Sequence, residues 1–213
     1  MIETTKKLAQ IGRDGLIFII RGQYTVDDVL HMAETLVSTG CSVMEVTLNT
    51  PDALYIISHV RKNLDDAVLV GAGTVRTSAQ WRDAFNAGAQ FTVAPNLDLA
   101  TVETAVSHKT VHLPGVFTPT EAETAHAAGC QLLKLFPAGI GGPNYLKAIS
   151  APLDDLKFVP TGGITFAEAT AYRQAGAFAL GVGAITIGRS ANSLDDLKTQ
   201  AHQLRQAWEA GAA

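Results

Sequence analysis

The run QLLKLFPA over 131–138 sets Lys134 between Leu132, Leu133, Leu135 and Phe136. If this apolar stretch is a buried strand, its lysine cannot keep an ammonium group in bulk water. Alternation puts Leu132, Lys134 and Phe136 on one face and Leu133 and Leu135 on the other, so the amine projects among apolar groups. Desolvation favours the neutral amine, the form that attacks a carbonyl carbon to make a Schiff base. Taken alone, the residue also reads as a strand-end lysine that snorkels to solvent or pairs with a carboxylate. A carboxylate is available in MEVTLN over 44–49, where alternation places Glu45, Thr47 and Asn49 on one face against Met44, Val46 and Leu48. Glu45 suits an acid/base beside an amine, and equally a plain ion pair with Lys134 or Arg21.

Three further segments suit an anionic substrate. Arg21 ends LIFIIRG on the face of Ile17 and Ile19, where its planar fork can clamp a carboxylate or phosphate, or simply lie on the surface. In GAGTV over 71–75 the small residues leave room and Thr74 supplies a hydroxyl; close packing of a helix on the strand would use the same residues. Thr161, Gly162 and Gly163 open TGGIT at an expected helix start, where exposed amides suit a phosphate. The next strand end, with Gly183 and Ala184, falls beside that turn in barrel folds. A merely tight turn is the competing account.

These residues need a scaffold that brings strand ends together. Short apolar runs at 16–22, 43–49, 68–75, 91–95, 110–116, 131–137, 157–164 and 178–183 alternate with helix-like stretches. Eight such units in 213 residues predict a parallel sheet closed into a single-domain (β/α)8 TIM barrel spanning 1–213, with active residues at the C-terminal strand ends. An open doubly wound sheet is disfavoured because no strand is followed by a GxGxxG fingerprint. Thr50-Pro51 and Thr118-Pro119 offer helix starts, and Thr118 with Glu121 and Thr165 with Glu168 have capping-box spacing. Gly40, Gly88, Gly129 and Gly176 are placed to close helices. Residues 1–13 are expected to form an extra helix over the barrel floor, and 194–208 the closing helix.

Composition sets the class. Hydrophobic residues make up 47% of the chain against 17% charged, enough to build a large core, and a net charge of -4 without a basic run argues against a nucleic-acid partner. Cys41 and Cys130 lie outside any CxxC pair and read as reduced, buried fillers. No long apolar run follows the charges of MIETTKKLAQIG, so neither a signal peptide nor a membrane span is expected, and the cytoplasm is the expected location.

In order and spacing, MEVTLNT, GAGTV, FTVAPN, HLPGVFTPTE, LLKLFPA and PTGGI together resemble the class I aldolases acting on 2-keto-3-deoxy-6-phosphogluconate (KDPG) and 4-hydroxy-2-oxoglutarate (KHG) nearly end to end. The resemblance implies a homotrimeric barrel lyase that needs no metal or other cofactor and takes a small 2-keto acid. It makes Lys134 the Schiff-base lysine, Glu45 the acid/base and Thr74 a ligand of the pyruvate carboxylate. Pro95 and Phe136 become pocket walls, and Thr161, Gly162 and Gly163 the polar end. Two positions depart from the family: many members have arginine where this chain has Asn49, and a phosphate-binding serine where it has Ala184. Arg21 could supply the missing guanidinium, and IRG combined with LNT looks like the branch that includes 6-phosphogalactonate-type aldolases. Two other classes fit the fold. A phosphosugar isomerase or epimerase would share the TGGI turn but has no need of an apolar-flanked lysine, and a non-catalytic keto-acid or sugar-phosphate binding protein would use the same pocket without turnover. A metal-dependent barrel would want clustered His, Asp or Glu at strand ends, whereas only His112 among six histidines falls in an expected strand.

Overall fold

The computed structural model describes residues 2–65, 67–183 and 194–212. Its strands are β1 (Leu16–Ile20), β2 (Val43–Thr47), β3 (Leu69–Gly73), β4 (Phe91–Val93), β5 (Val111–Leu113), β6 (Gly115–Val116), β7 (Leu133–Leu135), β8 (Phe158–Pro160) and β9 (Leu180–Gly183). Helix α1 (Ile2–Asp14) precedes β1; between the strands run α2 (Val26–Ser38), α3 (Ala53–Leu64), α4 (Ser78–Asn86), α5 (Leu99–Ser107), α6 (Pro119–Ala127), α7 (Ala138–Ser150) and α8 (Ala169–Gln174); α9 (Leu194–Ala210) follows β9.

All pairings are parallel, in the order β5-β4-β3-β2-β1-β9 and β6-β7-β8. The result is a curled parallel sheet in two segments, of six and three strands. At one end a Thr161–Gly181 bridge joins the β8 and β9 sides. At the other, the run expected as one strand over 110–116 is divided. Pro114 has no N–H to give the ladder, so β5 pairs β4 while β6, one residue later, pairs β7. Pro114 O still accepts from Lys134 N–H at 2.9 Å, which ties the division to β7.

Period-two alternation sorts the strand residues into two cores. Ile17, Val43, Leu69, Phe91, Val111 and Leu132 form the interior cluster, whereas Met44, Val46, Leu133 and Leu135 pack outward in the larger cluster shared with the helices. Both faces are therefore apolar, and each fully buried aliphatic side chain contributes ~2 kcal/mol. From below, α1 covers the interior with Ile11 and Leu8. Gly71 lacks the side chain that would collide with the Phe91 ring, since a Cβ there would lie 2.6 Å from ring carbons.

Helix punctuation follows the sequence in most places. Thr118 N–H donates to Glu121 Oε2 at 2.8 Å while Thr118 Oγ1 accepts from Glu121 N–H at 3.3 Å, closing the expected box at α6. Gly40, Gly88, Gly129 and Gly176 all take positive φ just beyond a helix end. Thr50-Pro51 is different: α3 begins only at Ala53, behind an Asp52 of φ 55° that makes no side-chain cap bond. The Thr50 side chain is buried instead, turned toward the end of β1. Cys41 and Cys130 are buried free thiols, and desolvation pushes Cys130 up to about 12.

Candidate active site

Lys134 on β7 and Glu45 on β2 share the interior face with Leu132 and Val43, one pleat further toward the C-terminal strand ends. Glu45 and Lys134 both point into the interior of the curled sheet and act electrostatically on each other there. Both are buried, with 2% and 4% of their surfaces exposed. Burial raises the Glu45 carboxyl above its ordinary range, opposed by the charges of Lys134 and Arg21. Burial pushes the Lys134 amine below the ordinary lysine range, with Glu45 pulling it back and Arg21 adding to the depression. The two groups interact electrostatically, yet no ion pair within 4.0 Å among the described residues involves either. The simple buried pair that the sequence left open is therefore not formed. An amine biased toward its neutral form thus lies within electrostatic reach of a carboxyl biased the same way. The Phe136 ring lies 4.7 Å from Lys134 Nζ, a contact that favours the ammonium form but does not reverse the desolvation.

The space around Glu45 has a source that alternation alone does not reveal. A Cβ on Gly73, the last residue of β3, would lie 2.5 Å from Glu45 Oε1, 2.8 Å from its Cδ and 2.9 Å from Thr47 Cγ2. Gly73 is thus the floor on which the carboxylate rests. The one signal for it in the sequence was the run of small residues in GAGTV.

At the rim, Arg21 follows β1 and is exposed, and it acts electrostatically on both Lys134 and Glu45. Asn49 is also exposed, in the turn after β2. Thr74 follows Gly73 with φ 59°. A left-handed conformation at a β-branched residue costs ~1 kcal/mol or more, and such strain concentrates at functional sites. Pro95 and Phe136 are partly buried just past β4 and β7. The Phe136 ring packs on Gly162, where a Cβ would approach it to 2.8 Å.

The Thr161–Gly163 turn lies beside this rim. Gly162 and Gly163 have φ of 84° and 74°, and their carbonyl side is engaged, with Gly139 N–H donating to Gly162 O at 2.8 Å. Among the described residues the Gly162 and Gly163 amides have no acceptor. The turn does not open a helix directly, as the sequence suggested. A 3-10 turn begins only at Phe166, and Glu168 already accepts from Thr165 N–H at 2.8 Å, so the exposed amides rather than a helix dipole are what an anion would meet. Gly183 ends β9 next to Ile19 of β1; Ala184 lies outside the described residues.

His112 stands apart. Its neighbours Val111 and Leu113 point into the interior core, so its ring faces outward, with Nδ1 2.8 Å from Thr92 Oγ1. Burial lowers it to about 4. Among the described residues no group of three or more His, Cys, Asp or Glu is arranged to hold a metal ion, and no helix is long and apolar enough to cross a membrane.

A lysine desolvated inside a curled parallel α/β sheet, within reach of a buried carboxyl, has the chemistry to attack a carbonyl carbon. Residues 10–202 match the model of the KDPG and KHG aldolase family, and the chain belongs to that family. It is a class I aldolase, a carbon–carbon lyase. It is 35% identical over 196 residues, 92% of each chain, to the "Probable 2-dehydro-3-deoxy-6-phosphogalactonate aldolase" of Rhizobium meliloti (strain 1021). A solved structure of native KDPGal superposes with a TM-score of 0.86 at 32% identity, covering 92% of this chain and 95% of that one. The KDPG aldolase of Legionella pneumophila, with pyruvate captured at low pH as a covalent carbinolamine intermediate, superposes with a TM-score of 0.80 at 28% identity, covering 94% and 97%.

Proposed function

We propose that this chain cleaves 2-keto-3-deoxy-6-phosphogalactonate to pyruvate and glyceraldehyde 3-phosphate, with its gluconate epimer and 4-hydroxy-2-oxoglutarate as lesser substrates. The observation that carries the reading is the buried Lys134 within electrostatic reach of the buried Glu45 without an ion pair. The names of two of the relatives, and the presence of Arg21 together with Asn49 in the sequence, support the galactonate branch. The working unit is a single (β/α)8 barrel, assembled as a homotrimer in the cytoplasm.

Neutral Lys134 adds its lone pair to C2 of the keto acid to form a carbinolamine, and Glu45 supplies the proton with which the C2 oxygen leaves as water. The resulting iminium is the electron sink. Glu45, now a carboxylate, takes the proton of the C4 hydroxyl; the C3–C4 bond breaks, its electron pair forms the C2–C3 double bond of an enamine, and the aldehyde departs. The enamine is protonated at C3, water adds at C2, and hydrolysis returns pyruvate and the free amine. Arg21 and Thr74 hold the keto-acid carboxylate. Asn49 hydrogen-bonds the rim of the bound chain, Pro95 and Phe136 wall it, and the amides of Gly162 and Gly163, with Thr161, Gly183 and Ala184, receive the phosphate.

Incubation with pyruvate and borohydride, followed by peptide mass mapping, is expected to place a reduced adduct on Lys134. Folded protein that forms no adduct would overturn the mechanism. Comparison of kcat/KM on the two epimers and on 4-hydroxy-2-oxoglutarate tests the substrate assignment, which fails if the gluconate epimer is preferred.

A further inference from the structure

Two buried threonines at the end of β2 have no part in the reaction, yet their hydroxyls are connected. Thr50 Oγ1 accepts from Gly22 N–H at 3.4 Å, the Thr47 and Thr50 hydroxyl oxygens are 3.2 Å apart, and Thr47 Oγ1 donates to Ile20 O at 3.3 Å. A hydroxyl has a single proton to donate. One assignment satisfies all three contacts: Gly22 N–H to Thr50, Thr50 O–H to Thr47, Thr47 O–H to the Ile20 carbonyl. The other acceptor within reach of Thr50, Ile20 O at 3.5 Å, leads to the same peptide. The path starts on the residue after Arg21 and ends on the residue before it.

We infer that Thr50 and Thr47 are positioning residues for Arg21, a hydroxyl clasp that grips the backbone on both sides of the arginine and ties it to the strand carrying Glu45. The inference rests on the reading of Arg21 as the carboxylate clamp. Arg21 lies beyond the last ladder residue of β1, and among the described residues its guanidinium has no carboxylate within 4.0 Å. Its side chain is long and flexible, so the position from which it swings is what the fold can determine. Both hydroxyls are buried, with Thr47 at 0% and Thr50 at 3% exposure, so water does not replace a lost link. This is also why Thr50 does not cap α3: its hydroxyl is committed to Gly22 and Thr47.

The test is a cycle of Thr50→Val, Arg21→Ala and the double variant, read as KM and kcat for keto-acid cleavage. Thr50→Val, which keeps the shape and deletes the hydroxyl, is expected to raise KM by about tenfold with kcat retained, the effect of one lost hydrogen bond on a binding contact. Thr50→Ser should restore KM, and Thr50→Val should change nothing further in the Arg21→Ala background. A merely structural role would lower the active fraction, and with it kcat, while leaving KM alone. If Arg21→Ala raises KM but Thr50→Val does not, or does so equally without the arginine, the clasp is refuted and the Arg21 reading stands. If Arg21→Ala leaves KM unchanged, the Arg21 reading fails and the inference with it. Thr47→Val interrupts the same path from its other end and carries the test should Thr50→Val not fold.

Discussion

Replacing Gly73 with alanine asks whether the position of the Glu45 carboxyl, and not only its presence, drives turnover. The new Cβ would stand 2.5 Å from Oε1 and 2.8 Å from Cδ of Glu45. An ordinary non-bonded separation is about 3.5 Å, so the carboxyl must withdraw by about 1 Å. The strand cannot retreat in its place. Thr47 is paired to Gly73 across the ladder, and Leu48 N–H donates to Gly73 O at 2.9 Å. A displacement of about 1 Å of a group that must meet a specific proton costs about 100-fold in rate, or about 2.7 kcal/mol of transition-state stabilisation. Steady-state cleavage, coupled to detection of pyruvate, should therefore show kcat down by about two orders of magnitude, with the far-UV spectrum and pyruvate trapping on Lys134 retained. Because the alanine acts through Glu45, adding it to Glu45→Gln should cost nothing further. A folded Gly73→Ala enzyme with kcat within about threefold of the parent would refute the argument that displacement costs rate. So would a double variant whose losses multiply.

Three further outcomes follow from the same geometry. Lys134→Met should abolish both the borohydride adduct and cleavage while raising the urea midpoint at pH 7. The folded state holds the lysine proton less tightly than the unfolded chain, so removing that charge is worth about 1 kcal/mol; a destabilised Lys134→Met would contradict the desolvation argument. His112 drops from 6.5 to about 4 on folding. Between those values the unfolded chain binds the extra proton, so stability is lost as pH falls through that window, by up to ~3 kcal/mol. His112→Asn should flatten the urea midpoint over this range, and an unchanged slope would show that the imidazole is not the source. Thr74→Gly relieves a left-handed β-branched residue worth ~1 kcal/mol and deletes the proposed carboxylate ligand. It should leave the melting temperature unchanged or higher while raising KM, and a clear fall in melting temperature would mean that no strain was stored there.

Which way the candidate site's side chains point was legible in the chain because the periodicity of a strand is local. Knowing only that 43–49 and 131–137 are strands buried on both faces was enough to put Glu45 with Val43 and Lys134 with Leu132, and the structure places those pairs on the interior face. Helix ends governed by a few neighbouring residues, such as Thr118 with Glu121, were equally readable. The misreadings occurred where a residue's partner is distant. Thr50 before Pro51 has the form of a helix cap, but the Gly22 N–H donor just past β1 and the Ile20 carbonyl acceptor at its end engage the hydroxyl in place of the orphan amides of α3. Pro114 divides a run that periodicity alone treats as continuous, because the cost of its missing N–H depends on which strand lies beside it.

The sequence by itself determined that a lysine would be stranded among apolar side chains, that a carboxyl would share its kind of face, and that glycines would leave backbone bare at the strand ends. Only the tertiary structure decided that the lysine and the carboxyl lie within electrostatic reach of each other without pairing, that Gly73 makes the room the carboxyl occupies, and that Thr47 and Thr50 reach round Arg21. The physical reason is that alternation dictates which way a side chain points, whereas the distance between two inward-pointing groups depends on the register and curl of every strand between them, a property no single segment encodes.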